Sequence, residues 1–302
     1  MNKIKTRKTK ADIFGKAVEI ALLAFLIIYC ITLIFPLLWM FLSSFKAIDD
    51  YALNMFGLPR RWITENYAEV FKVFKVQATT KTGEIVNYNI WGMAIYSILW
   101  TFGKSLVHVL LGSMCAYVLA KFKFFGSNFL FSLGIFVMIV PIIGSTPAAM
   151  LLRRQLGIYN NMTLLLLTSE ATAFSGLHFM LLYAAFKRVP ETYGEAVKID
   201  GGNNYTIFFR IVLPVALPSM VAVFVLQFLA TWSDYNTFII WLPSYPSLSV
   251  GVFKFQQQAS KSGLPMPVVL ATLVIVIIPT TLLYLATQKI LMSKFNVGGL
   301  KG

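Results

Sequence analysis

The sequence predicts an all-α polytopic membrane protein with six transmembrane helices and a cytoplasmic helix–turn–helix loop between the fourth and fifth. Three observations carry that expectation. Of 302 residues, 58% are hydrophobic and only 13% are charged, with a mean hydropathy of +0.73; soluble domains carry about a quarter charged residues. Six apolar runs are long enough to span a bilayer, because about 20 residues rising about 1.5 Å each cross about 30 Å of hydrocarbon. Between two of those runs stands one polar stretch, EAVKIDGG at 195–202.

Taken in order, residues 1–17 form a basic tail, with Lys3, Lys5, Arg7, Lys8, Lys10 and Lys16 against the single acid Asp12. The first span, Val18–Leu42, outruns the apolar region of a signal peptide and no small-x-small cleavage site closes it, so it reads as retained. An outer loop, 43–89, follows, punctuated by Gly57 and Pro59, with room for a small folded cap or lateral helix. The transmembrane core, 90–288, holds spans at Ile90–Ala120, Phe129–Leu152, Met162–Phe186, Val215–Trp241 and Val268–Thr287. Its outer segment Leu242–Met266 carries Pro243, Pro246 and Pro265 and is placed to line an entrance. A tail, 289–302, closes the chain. Gly112, Ala116 and Ala120 recur every fourth residue, a stripe that lets a neighbouring helix come close.

The net charge of +14 is scattered between apolar runs and forms no single basic face, which argues against a nucleic-acid partner. Retained cytoplasmic bases explain it better. Six spans put both termini on one side, and the basic tail makes that side the cytoplasm. Lys121 and Lys123, then Lys187, Arg188, Lys198 and Arg210, then Lys289, Lys294 and Lys301 fall on the same side. The loop 43–89 balances its bases with Asp49, Asp50, Glu65, Glu69 and Glu84; Arg153 and Arg154, on the outer side, are the exception. Cys30 and Cys115 each lie alone in an apolar run, without the partner a disulfide or zinc site needs.

The polar loop, 187–214, has its own local logic. Pro190 suits a first helical turn, where its missing N–H costs nothing. Glu191 and Glu195 then lie near the positive end of the helix dipole. Tyr193, Ala196 and Val197 share one face. Asp200-Gly201-Gly202 stops the helix, since glycine accepts the left-handed cap. Asn203 or Asn204 caps a second helix with Tyr205, Phe208, Phe209 and Val212 on one face, and Pro214 is expected to end it. Acids facing an anionic leaflet argue against a hairpin lying on headgroups, so a docking element for a soluble protein fits better.

The spacing Glu195-Ala196-Val197, then Gly201, then Ile211-x-Leu213-Pro214 resembles the EAA loop of ABC importer permeases, with Val197 in place of the second alanine. Four further stretches are similar to the maltose-type, carbohydrate-uptake branch: Thr64-Glu65-Asn66-Tyr67, Ala116–Phe122, Trp232-Ser233-Asp234-Tyr235 and Gly299-Leu300-Lys301-Gly302. The resemblance implies a multi-pass subunit of the bacterial inner membrane. Its partners would be a second homologous permease subunit, two cytoplasmic ATPase subunits and an extracytoplasmic solute-binding protein that touches 43–89 and 242–266. It implies no cofactor on this chain, with ATP and Mg on the partner ATPase. Glu195, Ala196, Val197, Asp200, Gly201, Ile211, Leu213 and Pro214 would couple the two, and Lys301 and Gly302 would reach toward the ATPase.

Gly103-Lys104-Ser105 mimics the end of a phosphate-binding loop, but Ile98 stands where that loop needs its first glycine. Ionisable groups inside spans are functional candidates: here Lys104, His108, Glu170, His178 and Asp234. Glu170 and His178 fit a solute path or an interhelical hydrogen bond equally well. Trp232, Asp234, Tyr235 and Asn236 offer a ring to stack on a sugar and polar groups to read hydroxyls, although a belt tryptophan accounts for Trp232 as well. An intramembrane enzyme would need a nucleophile–base pair or metal cluster, and the sequence offers no G-x-S-x-G, no H-E-x-x-H and only two histidines. A secondary transporter would have no use for the polar loop.

Overall fold

The computed structural model describes residues 10–140, 144–168, 174 and 176–294, and they are mostly helical. The chain runs through α1 (Lys10–Ser43), α2 (Ile48–Leu53) and α3 (Glu65–Val73) into a hairpin of β1 (Val76–Thr79) and β2 (Ile85–Tyr88). Next come α4 (Ile90–Lys121), α5 (Ser127–Ile139), α6 (Thr146–Gln155), α7 (Met162–Thr168) and α8 (Gly176–Lys187). α9 (Glu191–Ile199), α10 (Asn204–Ile207), a π turn (Phe208–Val212) and α11 (Leu213–Trp232) follow. α12 (Asn236–Trp241), α13 (Leu248–Ser262) and α14 (Met266–Lys294) complete the described chain.

Among the described residues, four helices are long and apolar enough to cross a membrane: Val18–Ser43, Ile90–Lys121, Asn204–Trp232 and Met266–Lys289. They coincide with the first, second, fifth and sixth expected spans. The fifth, expected over Val215–Trp241, starts earlier and stops sooner. After Trp232 the Asp234 carboxylate accepts the Thr237 N–H at 3.1 Å, so the chain is capped into the separate helix α12. The third and fourth expected spans, Phe129–Leu152 and Met162–Phe186, are not single helices. α5 ends at Ile139, and Val140, which precedes Pro141, is extended at φ −84°, ψ 111°, as the proline ring demands of its neighbour. α7 ends at Thr168, and α8 begins at Gly176, whose φ of 85° lies in the left-handed region.

The fold is also not wholly α. β1 and β2 pair antiparallel from Val76↔Tyr88 to Thr79↔Ile85, with Val76 and Ala78 buried on one face. Gly83 turns the hairpin at φ 89°. The Ser244 hydroxyl donates to the Thr79 carbonyl at 2.6 Å, so the strand is anchored to the loop before α13.

The chain divides into two compact units, one of residues up to 72 with 259–275, the other of 73–258 with residues from 276 onward. In the first, the end of α1 is tied down by polar bonds. The Asn66 amide donates to the carbonyls of Ser44 and Lys46, both at 2.8 Å, and the Tyr67 and Ser44 hydroxyls meet at 2.6 Å. Lys46 is fully buried and its ammonium donates to the carbonyls of Asn54 and Met55 at 2.6 and 3.0 Å. The Thr64-Glu65-Asn66-Tyr67 stretch is therefore a clamp on the loop that carries it. In the second unit α4, α8 and α11 pack together. Val109, Ala116, Phe179, Leu182, Phe186, Val212, Ala216 and Val223 form one buried apolar cluster among them.

Asn66→Leu removes the donor from two buried carbonyls, at about 1–3 kcal/mol for groups left without partners. Thermal unfolding of the detergent-solubilised protein is expected to shift down for Asn66→Leu, and by less for Tyr67→Phe, which loses a single hydroxyl pair.

Candidate functional site

The polar stretch of the sequence folds as an elbow of two helices around a glycine pair. Pro190 lies at the N-cap of α9, one position before its first turn, with φ −60° and ψ 141°. The far end closes by a Schellman arrangement: Gly202 N–H bonds Val197 C=O at 2.8 Å and Gly201 N–H bonds Lys198 C=O at 3.1 Å. Gly201 takes φ 77°, and a Cβ added at Gly202 would lie 2.4 Å from the Val197 side chain. Both glycines are thus demanded by geometry, for different reasons. Asn203 caps the second helix, its Oδ1 accepting from the Thr206 N–H at 3.0 Å and the Thr206 hydroxyl at 3.1 Å.

Pro214 does not end that helix, contrary to expectation. α10, the π turn and α11 run on as one element from Asn204 to Trp232, with Pro214 in the first turn of α11. The physical reason lies in the π turn. A proline lacks an N–H and its ring collides with the carbonyl four residues back, here that of Arg210. In the π turn the bonds reach one residue further, Leu213 N–H to Phe208 C=O, and the widened ladder accommodates the ring without a break.

The coupling candidates separate into an outward and an inward set. Glu195, Ala196, Asp200, Gly201 and Pro214 are exposed, while Val197, Ile211 and Leu213 are half-buried. α9 buries none of its residues. The expected apolar faces split in the same way: Val212 is buried and Phe208 half-buried, but Tyr193, Ile199, Tyr205 and Phe209 point outward, Ile199 85% and Tyr205 75% exposed. Large apolar side chains beside Glu191, Glu195 and Asp200 give the elbow the mixed surface of a protein contact.

The solute-path candidates do not form one set. Trp232 is buried, stacks on Phe228 at 5.7 Å and donates its indole N–H to the Val276 carbonyl at 3.3 Å. Both Asp234 oxygens are taken by Thr237. Tyr235 stacks face to face on Phe253 at 4.6 Å and is half-buried, and Asn236 is exposed. His178 Nδ1 on α8 stands 3.1 Å from His108 Nε2 on α4, an interhelical hydrogen-bond pair. The sequence signal for the pair is that the chain's two histidines both lie in apolar segments. Glu170, Lys301 and Gly302 lie outside the described residues. Among the described residues no cluster of His, Cys, Asp or Glu is arranged to hold a metal ion.

The family model described as binding-protein-dependent transport system inner membrane component matches residues 108–297. The chain is 31% identical to the diacetylchitobiose uptake system permease protein of Streptomyces coelicolor, over 70% of this chain and 65% of that protein. It is 27% identical to a probable ABC transporter permease protein of Bacillus subtilis, over 94% of this chain and 89% of that one. It is also 27% identical to the arabinooligosaccharides transport system permease protein of Halalkalibacterium halodurans, over 89% of this chain and 91% of that one.

A left-handed residue other than glycine costs about 1–2 kcal/mol, and Gly202 has no space for a side chain. Gly201→Ala is expected to loosen the elbow moderately and Gly202→Val more severely. Limited proteolysis of the membrane-embedded protein should report both as faster cleavage between 199 and 204, with the rest of the digestion pattern unchanged.

Proposed function

The chain belongs to the family of binding-protein-dependent transport system inner membrane components, and from that premise we infer that it is the permease subunit of an ATP-driven importer of a sugar or oligosaccharide. The observation that carries the reading is the elbow: α9 is closed at its C-terminal end by the glycine pair, has no fully buried residue and presents acids and large apolar groups outward. Such a surface serves a partner protein. ATP and Mg belong on two ATPase subunits that receive the elbow, a second similar permease completes the path, and an external binding protein delivers the solute. Saccharides are the solute class because relatives along most of the chain are named for diacetylchitobiose and arabino-oligosaccharide transport.

In this reading the chain crosses the bacterial inner membrane six times, with α5–α6 and α7–α8 as interrupted third and fourth crossings and both termini in the cytoplasm. The division follows the proposed boundaries 1–17, 18–42, 43–89, 90–288 and 289–302, with the coupling loop at 187–214. Arg153 and Arg154, the exception to the charge asymmetry, lie on the outer side in this topology. Their guanidinium groups lie over the rings of Trp241 and Tyr159, at 4.2 and 4.7 Å, and such contacts hold an arginine by its ring partner. Within the path, the half-buried Tyr235 and the exposed Asn236 offer a ring face and an amide to a sugar.

Two measurements test this. Saccharides screened against the purified complex with its binding protein should stimulate ATP hydrolysis; stimulation by amino acids or peptides alone would overturn the sugar assignment and leave the importer class intact. Glu195→Lys, inserted normally in the membrane, should reduce ATP-driven uptake at least about tenfold, the change that about 1.4 kcal/mol of lost interaction produces. Full uptake in Glu195→Lys and in Gly201→Trp would contradict the coupling role.

A further inference from the structure

We propose that Tyr117 and Lys121, at the end of α4, are positioning residues that tie the elbow to α4, so that force on α9 reaches α4 as well as α11. The proposal rests on reading the elbow as the ATPase-docking element.

No residue of α9 is fully buried and only Gly194 and Val197 are half-buried, so its own packing gives little hold for transmitting a push. One route out is covalent, through α10 and the π turn into α11. The other is made by α4. The Tyr117 ring bridges both arms of the elbow, 5.6 Å from Phe186 on the arm that enters it and 4.8 Å from Phe208 on the arm that leaves. Phe186 is fully buried, so the entering contact is anchored in the helix core. The Lys121 ammonium donates a hydrogen bond to the carbonyl of Val189, the residue before the N-cap Pro190. That carbonyl belongs to the linker on which α9 would otherwise pivot.

The space between these elements makes the two contacts matter. A cavity of about 210 Å³ separates the end of α4 from α9, with Tyr117, Lys121, Glu191, Glu195, Asn204 and Ile211 among its walls. The elbow is therefore not packed solidly onto α4. Motion of α9 reaches that helix through the arms that Tyr117 touches and the linker that Lys121 holds, by two ring contacts and one charge-assisted hydrogen bond, the stronger class of such bonds. The stretch Ala116–Phe122 then has a physical role residue by residue. Ala116, fully buried, lets the helices approach; Tyr117 bridges the arms; Phe122 sets its edge against Tyr117 at 5.6 Å and 87°; and Lys121 holds the linker.

The test uses the assembled complex of permease pair, ATPase and binding protein in proteoliposomes and reads saccharide imported per ATP hydrolysed. Lys121→Met keeps the stem and removes the donor; Tyr117→Leu removes the bridging ring. Each is expected to lower that ratio at least about threefold, within the range that residues along a coupling route produce, with ATPase still bound. Lys121→Arg and Tyr117→Phe should restore it. An unchanged ratio in Lys121→Met overturns the role of the ammonium, and an unchanged ratio in Tyr117→Leu that of the ring. If the variants reduce only the amount of assembled complex, with the ratio per complex normal, the two residues are structural and the proposal fails. Glu195→Lys measured beside them separates the two readings. If it leaves uptake intact, the docking assignment of the elbow is wrong. If it abolishes uptake while Lys121→Met and Tyr117→Leu keep a normal ratio, only the present proposal is lost.

Discussion

The packing of α4 against α8 and α11 is the constraint on which the rest of this chain depends. In hydrocarbon, lipid tails are as apolar as leucine, so helices associate through close fit rather than through escape from water. Here the fit is made by small residues where backbones must come near, Ala116 on α4 and Ala216 on α11, both essentially unexposed. Larger groups such as Phe179, Leu182 and Val223 fill the layers between them. The same cluster takes in Phe186, Val189 and Val212, the residues that flank the elbow. The residues that flank the exposed elbow thus belong to the buried apolar cluster of the helix core.

Much of this was legible in the sequence because the signals were local. The caps of the elbow follow from Asn203 and from a glycine at the left-handed position, and four long helices follow from uninterrupted apolar length. The failures arose where a single residue overrides a period. Pro141 ends α5 by forcing Val140 into an extended conformation, although the flanking run is apolar enough to continue. Pro214 has the opposite outcome, because a π turn one step earlier absorbs the ring. The turn before Pro141 is α-helical to Ile139, whereas the turn before Pro214 is a π turn.

The site was less legible than the fold, since function in this region is decided by which groups are already engaged. Trp232, Asp234, Tyr235 and Asn236 read as sugar contacts, with a membrane-belt role equally open to Trp232; the structure adds that the Trp232 indole N–H is given to a backbone carbonyl and the Asp234 carboxylate to Thr237. Lys121 read only as a basic residue on the cytoplasmic side, because its partner, the Val189 carbonyl, lies 68 positions away in sequence. The hairpin Val76–Tyr88 was missed for a related reason. Its strands are four residues each, too short to stand out against a greasy chain, and its anchor Ser244 comes from a distant loop.

The central claim is that ATP bound by partner subunits, and no ion gradient, moves solute through this chain. It is tested most directly by reconstituting the complex with its binding protein in sealed proteoliposomes and following labelled saccharide. The account predicts uptake when ATP and Mg are supplied to the ATPase side with no ion gradient imposed, and none when a proton or sodium gradient is imposed without ATP. Uptake that persists without ATP and collapses when the gradient is dissipated would contradict it.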